Sequence, residues 1–139
     1  MNVVPDEWLV EWLAGSLEYQ RLASHFLDDF EAAGDILAIR RPSPFVAKLE
    51  RALREPPTRR LWLMLYNSAR VRLVDDDEIF EPPDELLENV AADDAYLVEL
   101  AYAVRPCILV TTDGGLLQAL EGKDPQLLLR QPQDMYPTP

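Results

Sequence analysis

The stretch ILVTTDGGLL, residues 108 to 117, ends an apolar run with two threonines, an aspartate and a pair of glycines. Residues 107–110 form a short, uninterrupted apolar run, which is typical of a strand buried in a parallel sheet. Residues 116–120 return to a helical pattern. Asp113 therefore lies where a strand passes into a helix, and in a parallel sheet this carboxyl edge is where ligands bind.

The rest of the chain repeats this alternation of strands and helices. Four more apolar runs predict strands, at residues 2–4, 36–39, 71–74 and 126–129. Apolar residues at helical spacing predict further helices, at residues 7–13, 17–33, 44–54, 59–69, 84–89 and 94–104. Strands that alternate with helices predict an α/β fold, with three α/β/α layers around a central parallel sheet of the Rossmann-like kind.

Prolines set several of the predicted boundaries. Ser43 is a good N-cap, and Pro44 suits the first helical position because its missing N–H is not needed there. Pro56 and Pro57 are predicted to break the helix at residues 44–54. The C-terminal stretch QPQDMYPTP, residues 131–139, is predicted to add no regular element because it is rich in proline.

The composition fits one globular domain spanning residues 1–139, with 48% hydrophobic and 27% charged residues. The apolar stretches are too short to cross a membrane, and Asp6, Glu7 and Glu11 interrupt the first of them. Cys107 is the only cysteine, so no disulfide can form within the chain and a zinc site built on thiolates is unsupported. We expect a cytoplasmic protein that has no membrane partner.

Charge is distributed unevenly along the chain. The net charge of -12 argues against general nucleic-acid binding, which needs a surplus of basic residues. Residues 40–72 nevertheless hold nine of the thirteen basic residues and only two acids. Residues 73–104 hold eleven acids and no Lys or Arg. The simplest explanation is that the two blocks form solvated surfaces that offset each other.

Acidic residues follow two of the predicted strands. Asp6 follows the first strand and Asp113 follows the strand at residues 107–110, so we expect both at the carboxyl edge of the sheet. Asp93 and Asp94 open the preceding helix, which a normal crossover brings to the same edge. Carboxylates brought together repel one another unless protons or a cation offset them, and Mg²⁺ or Mn²⁺ takes such oxygen ligands. Asp6, Asp93 and Asp113, taken singly, are also explained as N-caps of helices.

Residues 93–117, DDAYLVELAYAVRPCILVTTDGGLL, resemble the C-terminal half of the PIN-domain ribonuclease family. In that family an Asp begins a helix, a small residue follows two turns later, and an apolar strand ends in Thr-x-Asp. The residues that match this pattern are Asp94, Ala101, Thr111 and Asp113. The N-terminal MNVVPDEWLVEWL is similar to the family's first strand with its terminal Asp, so the resemblance covers residues 1–139 as a single PIN-like domain.

The resemblance implies metal-dependent hydrolysis of RNA phosphodiester bonds. Asp6, Asp94 and Asp113 would hold Mg²⁺ or Mn²⁺, which would activate a water molecule and stabilise charge on the phosphate oxygens. Thr111 would hydrogen-bond within this catalytic site. The resemblance also suggests a homodimer, an antitoxin protein as partner, and the basic stretch at residues 40–72 as the path of the RNA.

Two departures from the family's pattern lead to an alternative. The family follows its first Asp with Thr or Ser and then Asn, whereas Glu7 and Trp8 follow Asp6 here. The family also places a Glu on the helix that begins near Ser43, at a position that corresponds to Lys48. An ammonium among three carboxylates could replace the metal, leaving a catalytically weakened PIN-like protein that binds RNA or a protein partner without turnover.

Overall fold

The computed structural model describes residues 1–67 and 69–137. They form an α/β fold in which a five-stranded, all-parallel sheet lies between two layers of helices, as predicted. The strands are β1 Asn2–Pro5, β2 Ile36–Arg41, β3 Val71–Asp75, β4 Cys107–Val110 and β5 Leu127–Arg130. The helices are α1 Trp8–Leu13, α2 Leu17–Ala33, α3 Pro44–Arg51, α4 Pro56–Leu65, α5 Asp84–Leu87, α6 Ala95–Ala103, α7 Gly114–Leu120 and α8 Pro132–Met135.

The strands lie in the order β3-β2-β1-β4-β5, so the sheet extends from β1 in both directions. The chain moves from β1 through β2 to β3 on one side, then returns to place β4 on the other side of β1. The register of β1 and β4 runs from Asn2 opposite Cys107 to Pro5 opposite Val110. This reversal creates a crevice at the carboxyl ends of β1 and β4, which is the position where doubly wound sheets bind ligands.

Two apolar clusters cover the two faces of the sheet. Leu9 of α1 and Leu27 of α2 are fully buried on one face, and Leu97 of α6 is buried on the other. Neighbouring residues of β1 divide between the faces, since Val3 belongs to the first cluster and Val4 to the second. Burying one such aliphatic side chain contributes about 1.5–3 kcal/mol. Burial on both faces explains why the strands are continuous apolar runs in the sequence.

The predicted start of the next helix at residue 59 is wrong, because α3 ends at Arg51 and Pro56 and Pro57 are already the first two residues of α4. A missing N–H has no cost in a first helical turn, where N–H groups lack an intrahelical partner. The predicted end at residue 69 is wrong too, since α4 ends at Leu65. Ser68, which the prediction included, lies outside the described residues.

The prediction that the C-terminal stretch adds no regular element is also wrong. Pro132 starts α8, and the hydroxyl of Tyr136 just after it donates a hydrogen bond to Asp35 Oδ2 at 2.7 Å. Met135 and Tyr136 pack against the same cluster as α1 and α2. Residues 138–139 of this stretch lie outside the described part of the chain. No helix in the described part has the length and apolar character that a membrane crossing requires.

Candidate functional site

Asp6 and Thr111 lie next to each other at the crevice between β1 and β4. The backbone N–H of Asp6 donates to the carbonyl oxygen of Val110 at 3.0 Å, which extends the pairing of the two strands by one step. The indole N–H of Trp8 donates to the same oxygen at 2.8 Å and ties the start of α1 to β4. The residues that follow β1 and β4 therefore meet at one edge, as the sequence predicts.

Thr111 joins Asp6 to Asp113. Its side chain is fully buried, and its hydroxyl donates to Asp6 Oδ2 at 2.8 Å. The same hydroxyl oxygen accepts a hydrogen bond from the backbone N–H of Asp113 at 3.0 Å. A hydroxyl oxygen can donate and accept at the same time without adding charge. Thr111 therefore holds two acidic residues side by side.

Asp113 is the N-cap of α7. Its Oδ1 accepts hydrogen bonds from the backbone N–H groups of Gly115 at 2.9 Å and Leu116 at 3.2 Å. A Cβ added to Gly115 would lie 3.2 Å from that same oxygen, so glycine allows the carboxylate to close on the first helical turn. The two glycines after Asp113 are thus the first residues of a helix, and this aspartate has the capping role that its sequence position allows.

Asp94 precedes α6 but makes no capping hydrogen bond to it. Burial raises the pKa of Asp94, and the negative charges of Asp6 and Asp113 raise it further. Asp93 and Glu7 act in the same direction. The three aspartates do not form a tight group, since their carboxylate oxygens do not all lie within 4.8 Å of one another. Capping therefore explains Asp113 and does not explain Asp94.

The three aspartates at this edge have no basic ion-pair partner among the described residues. Burial raises the pKa of Asp6, hydrogen bonds from the Glu7 N–H and from Thr111 lower it, and the charges of Glu7 and Asp113 raise it again. Within the part of the chain that the structure describes, no basic side chain forms an ion pair with Asp6, Asp94 or Asp113. Carboxylates that are close together and lack basic partners take up protons or a hard cation, and their oxygens suit Mg²⁺.

A more compact group of acids follows β3. Asp75, Asp77 and Glu78 are exposed, and each offers a carboxylate oxygen within 4.8 Å of the others, so these three could hold a metal ion. It is the only such group among residues 1–67 and 69–137, and Asp6, Asp94 and Asp113 are spread more widely. Apart from the acidic block itself, no feature of the sequence singles these residues out.

Glu7 belongs to the site, and sequence reasoning did not identify it. Its Oε2 accepts a hydrogen bond from the hydroxyl of Tyr96 at 3.3 Å, and its Oε1 pairs with Lys48 Nζ at 3.1 Å. Burial raises the pKa of Tyr96, as do the charges of Glu7 and Asp6, so the phenol keeps its proton and remains a donor. The spacing of Glu7 and Glu11, one helical turn, was the available signal for a shared basic partner.

Lys48 forms its ion pairs with Glu7 and Glu11, rather than with the three aspartates. The distances from its Nζ are 3.1 Å to Glu7 Oε1 and 2.6 Å to Glu11 Oε1. The hydrogen bond to Glu11 is the main cause that raises the pKa of Lys48, so the ammonium is charged at neutral pH. The two departures from the family's pattern, at positions 7 and 48, are therefore in direct contact.

The basic stretch at residues 40–72 is partly neutralised by the fold. Arg40, near the end of β2, pairs with Asp76 at 3.2 Å and with Glu99 at 3.1 Å. Arg60 of α4 pairs with two acids of α2. Five other arginines of the stretch are exposed: Arg41, Arg51, Arg54, Arg59 and Arg72. Ion pairs with acids thus neutralise part of the basic stretch, and the five exposed arginines remain.

Comparison of the chain with protein-family models, with curated proteins and with solved structures gives no match. A function is therefore proposed from the geometry at the crevice and from the resemblance of residues 93–117.

Proposed function

We propose that this chain is a metal-dependent ribonuclease that hydrolyses RNA phosphodiester bonds at the crevice between β1 and β4. One observation carries the proposal. Carboxylates from distant parts of the chain, Asp6, Asp94 and Asp113, gather at the crevice, where burial and their repulsion raise the pKa of Asp94. Perturbed groups of this kind cluster at functional sites. The resemblance to PIN-domain ribonucleases supports the same three residues.

Asp6, Asp94 and Asp113 would hold Mg²⁺ or Mn²⁺, both of which take carboxylate oxygens as ligands. The bound ion would supply an activated water and offset charge on the phosphate oxygens. Thr111 keeps Asp6 and Asp113 together through its two hydrogen bonds. The cap of α7 uses only Oδ1 of Asp113, so Oδ2 takes no part in it.

RNA is the proposed substrate class because an exposed arginine lies at the same edge of the sheet as the aspartates. Arg41 ends β2, the strand next to β1, and is exposed. Arginines in such positions bind phosphates without sequence preference, and their contribution weakens as salt rises. Partial neutralisation of the basic stretch predicts modest affinity, so positioning of the scissile phosphate would depend mainly on the acidic site.

A homodimer and an antitoxin partner are part of the same proposal. Leu17, Tyr19 and Leu22 of α2 are 63%, 48% and 46% exposed. Tyr19 and Leu22 are three residues apart and so lie on one face of α2, and exposed apolar patches are common at protein interfaces. Sedimentation of the chain alone would measure whether it pairs with a second copy.

A second candidate is a PIN-like protein that binds RNA or a protein partner without turnover. Lys48 favours this candidate, because its ammonium pairs with Glu7 beside the aspartates and reduces the negative charge available to a divalent ion. Binding without cleavage is the result that distinguishes it from the ribonuclease.

The test is incubation of the purified chain with structured and single-stranded RNA in Mn²⁺, beside Asp94→Asn and Asp113→Asn variants. Glu50→Gln is the matched control, since Glu50 is an exposed acid on α3 that takes no part in the site. We expect the parent and Glu50→Gln to cleave and both aspartate variants to lose about 100-fold or more in rate. Equal, faint cleavage by all four proteins contradicts the proposal, and RNA binding with no cleavage by the parent supports the second candidate.

A further inference from the structure

Three elements of the fold meet at the carboxylate of Glu7. Glu7 precedes α1, Lys48 comes from α3 and Tyr96 comes from α6. One carboxylate oxygen pairs with Lys48 Nζ at 3.1 Å and the other accepts the Tyr96 hydroxyl at 3.3 Å. The Glu7 side chain is only 25% exposed. With both oxygens held, this carboxylate has a defined position, unlike a surface glutamate that samples many rotamers.

The same residue is next to two aspartates of the site. It follows Asp6 in the chain, and its partner Tyr96 lies in the first turn of α6, two residues after Asp94. The backbone N–H of Glu7 donates to Asp6 Oδ1 at 2.7 Å, so the two residues are also joined directly. Glu7 is therefore placed to add a fourth negative charge to the group formed by Asp6, Asp94 and Asp113.

Lys48 has one partner inside the site and one outside it. Glu7 is partly buried, whereas the side chain of Glu11, one helical turn further on, is 58% exposed. The ammonium contacts both glutamates and is the only basic group paired with Glu7 among the described residues. Because Glu11 remains as a partner, the ammonium keeps one ion pair if the Glu7 carboxylate binds another cation. An ion pair with an exposed glutamate such as Glu11 adds little stability, so exchange of the ammonium between the two glutamates costs little.

We propose that Glu7 is a fourth acidic group of the divalent-cation site and that Lys48 competes with the metal for Glu7, an inference that rests on the proposed function. While the ammonium is paired with Glu7, it offsets part of the charge that attracts the ion. When Glu7 binds a divalent cation, the ammonium of Lys48 remains paired with Glu11. Lys48 thus sets the affinity of the site for the metal, and Tyr96 keeps Glu7 in place for either partner.

The affinity of the full chain for Mn²⁺, measured from the electron paramagnetic resonance signal of unbound Mn²⁺ during titration, tests this without reference to cleavage. We expect Glu7→Gln to weaken binding at least fivefold and Lys48→Gln to tighten it at least threefold. Lys48→Arg retains the charge and is expected to stay close to the parent. Glu50→Gln is the matched control, because it removes an exposed acid of α3 that has no part in the site, and should change affinity by less than about twofold.

A double variant decides whether Lys48 acts through Glu7. In a Glu7→Gln background, Lys48→Gln is expected to have no further effect, since the group for which it competes is gone. An undiminished gain in that background overturns the inference, as does a Lys48→Gln variant that binds Mn²⁺ no better than the parent. If Glu7→Gln does not fold, as judged by thermal unfolding, the comparison of Lys48→Gln with Lys48→Arg decides alone.

Asp94→Asn separates this inference from the proposed function. Loss of Mn²⁺ binding in Asp94→Asn together with parental affinity in Glu7→Gln overturns the role of Glu7 and leaves the ribonuclease standing. Parental affinity in Asp94→Asn overturns the proposed function itself.

Discussion

Two groups of acids lie on the same edge of the sheet and differ in how they are assembled. Asp75, Asp77 and Glu78 are neighbours in the sequence, are exposed, and have carboxylate oxygens within 4.8 Å of one another. The second group, Asp6, Asp94 and Asp113, is less compact, and its members come from three distant segments. Asp6 and Asp94 are partly buried, and the buried Thr111 links Asp6 to Asp113.

The difference shows that closeness alone is weak evidence of a site. The acids after β3 have a local structural role, since Asp75 and Glu78 form a reciprocal capping box around a short 3₁₀ turn, Asp76–Glu78. Exposed charges held by local hydrogen bonds need little compensation from the rest of the fold. At the crevice, the fold brings like charges together where they are partly buried, and this costs free energy. A cluster that the fold assembles despite this cost is stronger evidence of a functional site.

Removing one acid from each group should give the largest contrast. We expect Asp6→Asn to lower the rate of RNA cleavage about 100-fold or more, because the proposed ion loses a carboxylate ligand. Asp77→Asn removes the same charge from the exposed group and should stay within about twofold of the parent. Initial cleavage rates in Mn²⁺ measure both. A loss in Asp77→Asn as large as that in Asp6→Asn would show that the exposed group is the functional one.

The buried hydroxyl that joins the crevice acids should give the next largest effect. Thr111→Val removes the donor to Asp6 and the acceptor for the Asp113 N–H, so the free energy of unfolding should fall by about 1–3 kcal/mol. Thr112→Val, at the exposed neighbouring position, should change it by no more than about 0.5 kcal/mol. Urea unfolding measures both variants, and equal losses in the two would contradict the role assigned to Thr111.

The smallest effect concerns the cost of the crevice charges in the metal-free chain. The pKa of Asp94 is raised in the fold, so its ionised form destabilises the fold at neutral pH, and this cost is relieved as the pH falls through the raised pKa. Asp94→Asn should therefore unfold at a slightly higher temperature than the parent at pH 7. About 1 kcal/mol corresponds to roughly 3–5 °C for a chain of this size, and the partial exposure of Asp94 makes a smaller gain the expectation.

This gain should disappear in acid, below the ordinary pKa of an aspartate, because the parent is then protonated in both the folded and unfolded chains. Calorimetry at pH 7 and near pH 3 provides the comparison. A lower unfolding temperature for Asp94→Asn at pH 7 would mean that the favourable position at the start of α6 outweighs burial and repulsion.

The sequence predicts the carboxyl edge well because the pattern is local. An apolar run followed by Thr-x-Asp and a helix places Asp113 at that edge whatever the strand order, and the same holds for Asp6 after β1. Predicting that Asp6 and Asp113 are linked through Thr111 would also require knowing that β1 and β4 are neighbours. Strand order depends on long-range packing, which no short stretch of the chain specifies.

Side-chain partners and proline boundaries were harder to predict for physical reasons. The contact of Glu7 with Lys48 and Tyr96 depends on where α1, α3 and α6 meet, so sequence spacing could suggest only the pair Glu7 and Glu11. Pro44 was correctly placed at a helix start, but the first-turn positions of Pro56 and Pro57 in α4 and of Pro132 in α8 were not predicted. Proline is disfavoured inside a helix but fits its first turn, so a proline in the sequence is compatible with both a helix end and a helix start.

The most direct test of the crevice as the cation site is the broadening of backbone amide signals in the nuclear magnetic resonance spectrum of the ¹⁵N-labelled chain as Mn²⁺ is added. A paramagnetic ion broadens nearby amides first, so its location is read residue by residue. We predict that, at low Mn²⁺, the amides of residues 6–7 and 111–115 broaden before those of residues 75–78. Early broadening confined to residues 75–78 would contradict the central claim, because the ion would then prefer the exposed acids to the group that the fold assembles.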